Sequence, residues 1–524
     1  MGRPASAQGQ KRSHPLEYIF HPRSVAIVGV STDVRNPCTA EYYVEPLLKL
    51  GYKGKIYPVN QKGGEVLGLP VYASLKEAPG PIDHVISCIP AEQIPQLLDE
   101  CREVGAKVLQ LYTAGFAETG EPHGMKLQRQ MVETAKHSNI RILGPNCMGL
   151  YCPRSGLSFS HKFPREPGPI GLISQSGSNS MYTVFQSMNR GLRFSKAISY
   201  GNASDINECD LLDYLTDDPE TKVIAAYIEG TNDGPRFRQV LARAASTKPV
   251  VIYKGGYTEG GTRAATSHTG ALSGVDAVWN GLLKQVGAIK VHTVEEMVDV
   301  LVALLYMKPP QGLNTCAAGN GGGASLLAAD ELERAGFKLP DIPPGIRDRL
   351  KTLIPPIGSM LRNPLDISPL MGSQQLHLVA NRDVEDWRKG LEAMSFHKED
   401  RGWGELFGIF DDWPGLDWVL LHISLDSNPG RVYDWFTATQ AGPMLLGSRM
   451  CSKPAAMVLH YLANEHTWVC TQSARELTVE AGFPLFLSVR GAARAIRRLV
   501  DFNTAHPEVL RALREESTAQ AEVP

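Results

Sequence analysis

Three times along this chain a short apolar run stops at a glycine- or serine-rich turn and passes into a segment whose apolar residues recur at helical spacing. The first run is 24–30, Ser-Val-Ala-Ile-Val-Gly-Val, where Gly29 and Ser31 mark the turn and a helical segment follows at about 40–50. The second is 168–173, Gly-Pro-Ile-Gly-Leu-Ile, followed by the turn 174–180, Ser-Gln-Ser-Gly-Ser-Asn-Ser, and a helical stretch over 181–188. The third is 315–318, Thr-Cys-Ala-Ala, followed by Gly-Asn-Gly-Gly-Gly over 319–323 and strong helix formers over 324–335 that end at Gly336. Strands that alternate with helices in this way form parallel, doubly wound sheets, whose ligands bind beyond the carboxyl ends of the strands. With 524 residues the chain exceeds what one core can organise, so two to four such domains are expected.

Further strands of the first region are expected at 55–60, 85–89, 108–112 and 141–143. Their ends carry Asn60-Gln-Lys-Gly-Gly64, Ile89-Pro-Ala91, Tyr112-Thr-Ala-Gly-Phe116 and Gly144-Pro-Asn146. The full G-x-G-x-x-G fingerprint is absent after the first strand, which disfavours a redox dinucleotide. Lys62, set among polar and glycine residues, suits either a phosphate contact or an exposed loop. In the second region 223–228 ends on Glu229, and 249–253 leads into Arg263-Ala-Ala-Thr-Ser-His-Thr-Gly-Ala-Leu-Ser-Gly-Val275. That segment places one imidazole, His268, among small and hydroxyl side chains, and it reads as a loop able to present a base, acid, nucleophile or ligand. The turns at 174–180 and 319–323 put helix N-termini where an anion can bind, although a serine turn also serves as a plain cap. A phosphorylated histidine, oriented by a carboxylate and stabilised by helix N-termini, explains these features together. Strands are also expected at 418–423, 455–459 and 484–487, while 373–415 and 426–450 suggest no chemistry.

Composition excludes several alternatives. The formal net charge is −2, so no strong field invites nucleic acid or an anionic membrane. Nine cysteines without a C-x-x-C pair suit free thiols in a reducing cytoplasm, with no metal site expected. The first residues lack an apolar core. Although Gly2 and Ser6 fit a loose myristoylation pattern, a polar tail is expected over 1–15, and another over 511–524. No apolar run is long enough to span a bilayer.

Five motifs in order make the chain resemble the NDP-forming acyl-CoA synthetases of the succinyl-CoA synthetase superfamily, in their ADP-forming alpha-subunit form. They are Ile142-Leu-Gly-Pro-Asn-Cys147, Leu172-Ile-Ser-Gln-Ser-Gly177, Tyr200-Gly-Asn202 with Asp210-Leu-Leu-Asp-Tyr-Leu215, Ser267-His-Thr-Gly-Ala-Leu272 and Asn363-Pro-Leu-Asp366. The resemblance is good over about 16–370 and weak beyond. It implies an α/β fold class with a Rossmann-like CoA-binding domain (16–150) followed by two flavodoxin-like doubly wound domains (151–308, holding the phosphohistidine loop, and 309–510). It further implies that His268 is phosphorylated and that Glu229 holds it. Gly29, Ser31, Lys62, Pro90, Tyr112, Thr113, Ala114 and Asn146 would line the coenzyme A site. Ser176, Gly177 and Ser178, with Asn320, Gly321, Gly322 and Gly323, would hold phosphate. The implied activity is ligation of a small carboxylic acid to CoA through an acyl phosphate. ATP/ADP and Mg2+ would belong to a separate ATP-grasp beta subunit, giving a hetero-oligomer.

Two departures from the family pattern stand out. The first loop lacks the usual glycine before its helix, and 176–180 reads Ser-Gly-Ser-Asn-Ser in place of the common Ser-Gly-Ala-Leu. A CoA-independent phosphoryl or carbamoyl transferase and a non-catalytic CoA or metabolite sensor are the alternatives on the same framework.

Overall fold

The computed structural model describes residues 14–31, 39–261, 263, 275–354, 361–368, 402–424, 451–460, 475–476, 478–479 and 482–521. Among them, each strand–turn–helix unit opens a sheet of its own. The first sheet contains β1 (Ser24–Val28), β2 (Lys55–Val59), β5 (His84–Ser87), β6 (Val108–Leu111) and β7 (Arg141–Leu143), in the spatial order β2-β1-β5-β6-β7 and parallel throughout. A small antiparallel ribbon, β3 (Glu65–Val66) and β4 (Leu69–Pro70), sits in the loop after β2. The second sheet contains β8 (Gly149–Tyr151), β9 (Ile170–Ser174), β10 (Phe194–Ser199), β11 (Val223–Ile228), β12 (Val250–Lys254) and β13 (Ile289–Val291). Its order is β13-β12-β11-β9-β10-β8, with only β8 antiparallel. The third contains β14 (Thr315–Gly319), β15 (Leu365–Asp366), β16 (Trp418–Ser424), β17 (Ala455–His460) and β18 (Leu485–Phe486), ordered β15-β14-β16-β17-β18 and parallel.

Setting aside the antiparallel β8, one topology occurs three times. The second parallel strand lies on one side of the first, and the third, fourth and fifth lie on the other. Crossovers reverse direction at the first strand, which opens a crevice at its carboxyl end, and each glycine- or serine-rich turn lies there. Residues of β1, β9 and β14 are buried along their whole length, as expected for central parallel strands covered on both faces.

The helix Ile94–Val104 buries Ile94, Leu97, Leu98 and Cys101 in a core that also takes Ala26, Val28 and Val85 from the first sheet. Trp403, Phe407, Phe410 and Trp413 do the same for the third. The chain forms two compact units, one of residues 1–188, 193–294 and 511–524, the other of 189–192 and 295–510. The first unit holds the first two sheets and the second unit the third.

One strand goes unmarked in the sequence, and one expectation needs correction. The strand β10 was not legible because it carries Lys196 in its middle. That side chain is 1% exposed and ion-paired to Asp218 at 3.0 Å and Glu220 at 2.8 Å, so a charged residue occupies what is a buried strand position. Residues 511–521 are not a tail: they continue the helix Pro507–Ala521, with Val509, Leu510 and Leu513 buried at helical spacing.

Candidate functional site

The first sheet gathers its expected site residues at one edge. Gly29 and Ser31 follow β1, Lys62 follows β2, Pro90 follows β5, Tyr112 to Ala114 follow β6, and Asn146 follows β7. Gly29 has φ +90°, and a Cβ there would lie 2.8 Å from Ile89 Cγ2, so this turn needs glycine. The Ser31 N–H donates to Thr39 Oγ1 at 2.8 Å, and Asn60 Nδ2 donates to the Val30 carbonyl at 2.8 Å, joining the first two loops. Lys62 is exposed, with its backbone N–H donating to Asn60 Oδ1 at 2.9 Å.

Thr113 is buried and its hydroxyl is turned inward, donating to the Ile89 carbonyl at 2.8 Å; it ties the β5 and β6 turns together. The Asn146 N–H donates to the Thr113 carbonyl at 3.0 Å, in a turn that contains the cis Gly144–Pro145 bond. Tyr112 packs edge-on to Tyr43 at 5.7 Å, and the Tyr43 hydroxyl donates to the Met148 carbonyl at 3.2 Å. This edge offers backbone donors, an aromatic wall and one exposed lysine, which suits an anionic ligand with an apolar arm.

Met148 leads to the second sheet. Its N–H donates to Ser199 Oγ at 3.1 Å, and a Cβ on Gly177 would lie 2.7 Å from Met148 Cγ, so glycine at 177 lets the helix Gly177–Met188 begin against this contact. Ser176 acts as the N-cap, its Oγ accepting from the Asn179 N–H at 3.2 Å, and Ser174 Oγ donates to the Ser176 carbonyl at 2.7 Å. The cap satisfies the third helical N–H. Those of Gly177 and Ser178, with Ser178 exposed, have no intrahelical acceptor, the chemistry an anion at a helix N-terminus requires.

Two strands away from β10, Glu229 follows β11 and is 6% exposed. Gln175 Oε1 accepts from the Glu229 N–H and, at 3.0 Å, from the Gly230 N–H, while the Tyr227 hydroxyl donates to Glu229 Oε1 at 3.1 Å. Burial first, and the adjacent carboxylate second, push the Tyr227 phenol well above its ordinary range, so it stays a hydrogen-bond donor.

The neighbouring β12 ends in Lys254, 1% exposed, whose amine donates to the Gly255 carbonyl and lies 5.3 Å from the Trp279 ring centroid. Burial lowers its pKa to about 8. The segment leaving β12 carries His268, which lies outside the described residues.

The third sheet, in the other unit, places Asn320 to Gly323 after β14. Gly321 has φ +94° and precedes the helix Gly322–Arg334. The Gly321 N–H donates to Ser368 Oγ at 2.9 Å, and that hydroxyl donates to Asp366 Oδ1 at 2.6 Å, so the Asn363-Pro-Leu-Asp366 motif braces the turn. Beneath it His422 is fully buried, its Nε2 3.3 Å from Ser325 Oγ, and burial lowers its pKa to about 4.

Residue-by-residue reading missed Gln175, Glu118, Asn202 and Lys254. Gln175 stands inside the serine turn and Asn202 inside Tyr200-Gly-Asn202, but only the folded chain shows their partners. Glu118 carries no local signal. No helix among the described residues is long and apolar enough to cross a membrane.

Comparison with known proteins agrees with this layout. A CoA binding domain family matches residues 23–153, and a succinyl-CoA ligase like flavodoxin domain matches 167–304. The alpha subunit of ADP-forming acetate–CoA ligase II from Pyrococcus furiosus is 38% identical over 372 residues, covering 71% of this chain and 80% of its own length. The ADP-forming 4-hydroxybutyrate–CoA ligase of Nitrosopumilus maritimus is 34% identical over 377 residues, covering 71% of this chain and 53% of its own. Among solved structures, the dinucleotide-forming acetyl-coenzyme A synthetase 1 of Ca. Korarchaeum cryptofilum, in complex with phosphate and ADP, superposes with a TM-score of 0.72 at 25% identity. That match covers 95% of this chain and 99% of the other.

Proposed function

Because the chain belongs to the family of ADP-forming acid–CoA ligases that includes the acetate–CoA ligase alpha subunits, we propose that it is the CoA-binding subunit of such a ligase and carries a phosphoryl group on His268. The observation that supports this reading best is the fixing of Glu229 by Gln175 and Tyr227 at the edge from which the His268 segment departs. A carboxylate that accepts one imidazole N–H fixes the tautomer and makes the other nitrogen nucleophilic.

In this reading ATP, with Mg2+, is bound by an ATP-grasp beta subunit, and the γ-phosphoryl group passes to His268 with release of ADP. The naming of relatives as alpha subunits supports such a partner. The helix N-terminus at Ser176–Ser178 and, separately, the one at Asn320–Gly323 are each read as able to hold phosphoryl oxygens. The phosphoryl group then moves to a carboxylate oxygen of a small acid, restoring the free imidazole and giving an acyl phosphate. The CoA thiolate attacks the acyl carbon and inorganic phosphate leaves.

The CoA site is read at the edge of the first sheet, from Gly29, Ser31, Lys62, Pro90, Tyr112 to Ala114 and Asn146. Domains at 16–150, 151–308 and 309–510 belong to the same proposal. The test is turnover: chain plus an ATP-grasp subunit should release about one equivalent of ADP per chain from ATP alone, and sustained ADP release should require both a carboxylic acid and CoA. Sustained ADP release that needs no CoA would favour a CoA-independent transferase instead.

A further inference from the structure

The segment after β10 runs beside the carboxyl edge of the first sheet. The Asn202 N–H donates to the Pro145 carbonyl at 3.0 Å, and the Ser204 and Ile206 N–H groups donate to the Gly144 and Ile142 carbonyls at 3.1 Å each. Gly201 has φ +55° and approaches so closely that a Cβ would lie 2.2 Å from the Pro145 oxygen. At the centre of this junction Asn202, 6% exposed, donates through Nδ2 to Glu118 Oε2 and to Gln128 Oε1, the latter at 3.1 Å.

Both acceptors are unambiguous. Glu118 Oε1 accepts from the Gly115 N–H at 2.6 Å and the Phe116 N–H at 3.1 Å, and Gln128 Oε1 accepts from the Ala117 N–H at 3.4 Å. Asn202 therefore presents its amino group to this pair, and its Oδ1 is buried without a hydrogen-bond partner among the described residues. An acceptor left unmet inside the protein is unfavourable, so the arrangement is held by the two donated bonds.

Glu118 closes the loop that begins Tyr112-Thr113-Ala114, and Asn202 follows the strand that borders β9, with the Tyr200 N–H donating to the Ser174 carbonyl at 3.0 Å. We propose that Asn202 is a positioning residue that, through Glu118, locks the turn after β6 against the second sheet and so sets the CoA-lining edge in register with the Ser174–Gly177 turn. This rests on reading residues 112–114 as part of the CoA site. Neither Asn202 nor Glu118 need touch CoA. The carboxylate fixes the turn, and the amide fixes the carboxylate.

The test exploits donor and acceptor identity. CoA binding is measured by calorimetry on the full chain for wild type, Asn202→Asp, Glu118→Gln and the double variant, at pH 8 and pH 5.5, with thermal midpoints alongside. In Asn202→Asp two carboxylates face each other, while the other charged groups of this junction, Arg141, Asp205 and Asp210, are already paired together. CoA affinity should fall about tenfold or more at pH 8 and recover at pH 5.5, where the carboxyl pair shares a proton. Glu118→Gln should weaken binding at both pH values. In the double variant an amide at position 118 donates to a carboxylate at position 202, which restores the contact between those two residues but not the bond to Gln128 Oε1, so it should recover a substantial part of the affinity that Asn202→Asp loses at pH 8. Phosphoryl labelling of the chain by ATP and an ATP-grasp subunit should be unchanged in all three. Affinity in Asn202→Asp equal to wild type at pH 8, or a double variant no better than the single ones, overturns the positioning role alone. Absence of CoA binding by the wild-type chain overturns the CoA-site reading and the positioning role with it.

Discussion

At the scale of single residues the proposed chemistry turns on Glu229. Its backbone is held by Gln175 and its carboxylate by Tyr227, so Glu229→Gln keeps the shape of the site and removes only the charge. The expected result is phosphoryl labelling slowed about a hundredfold with folding intact, as befits loss of a group that polarises an imidazole. Labelling at the wild-type rate would show that Glu229 is not the orienting carboxylate.

Lys254 makes a separate prediction. Its folded pKa of about 8 lies below the free-lysine value, so the unfolded chain binds more protons between pH 8 and 10.5 and stability rises as pH climbs through that window. Below pH 8 the buried charge is a standing cost. Lys254→Met should be more stable than wild type at pH 7 and should lose that rise, as followed by denaturant unfolding at pH 7 and 9.5.

Glu229 was singled out by its place at the end of a strand and His268 by small and hydroxyl neighbours; the structure places Glu229 as expected, after β11, while His268 lies outside the described residues. Gln175, Glu118 and Asn202 were not legible, because their roles depend on partners 54 to 84 positions away.

At the scale of elements, apolar β-branched runs announced β1, β9, β11 and β12, and the glycine or serine turns announced the helices that follow. The strand β10 stayed hidden because its buried Lys196 finds Asp218 and Glu220 only in the fold. Of the roles its sequence allowed, the serine turn before Gly177 carries the cap, Ser176 accepting from the Asn179 N–H, and the first two N–H groups have no intrahelical acceptor.

Close approach is the element-level constraint most open to test. At Gly201 a Cβ would meet the Pro145 and Asn146 carbonyl oxygens at 2.2 and 2.5 Å, and the backbone is left-handed there. Gly201→Ala should destabilise the chain by about 3 kcal/mol, since neither backbone oxygen can turn aside. A thermal midpoint within about a degree of wild type would contradict the packing described between the Tyr200–Ile206 segment and the first sheet.

At the scale of the molecule, one strand order serves three sheets, and each places a turn at the crevice that the order creates. Repetition of the strand–turn–helix unit made this legible, whereas the stretches 373–415 and 426–450, which mix Trp, Asp and Gly irregularly, gave no such signal.

Each compact unit also buries one neutral histidine, His84 in the first and His422 in the second, both lowered by burial to about 4. A depressed histidine contributes no penalty above pH 6.5 and costs stability as pH falls toward 4, because only the unfolded chain takes up the proton. Each group should remove up to about 3 kcal/mol across that range, measurable as a falling denaturant midpoint between pH 7 and 5. A flat profile would mean that the imidazoles are not buried as described.

The central claim, that this chain carries the phosphoryl group on His268, is tested most directly by peptide mapping after incubation with γ-labelled ATP and an ATP-grasp subunit. The expected result is an acid-labile label on the peptide containing His268 that is absent from His268→Asn and is discharged by a carboxylic acid together with CoA. Equal labelling of His268→Asn, or a label that maps elsewhere, would contradict it.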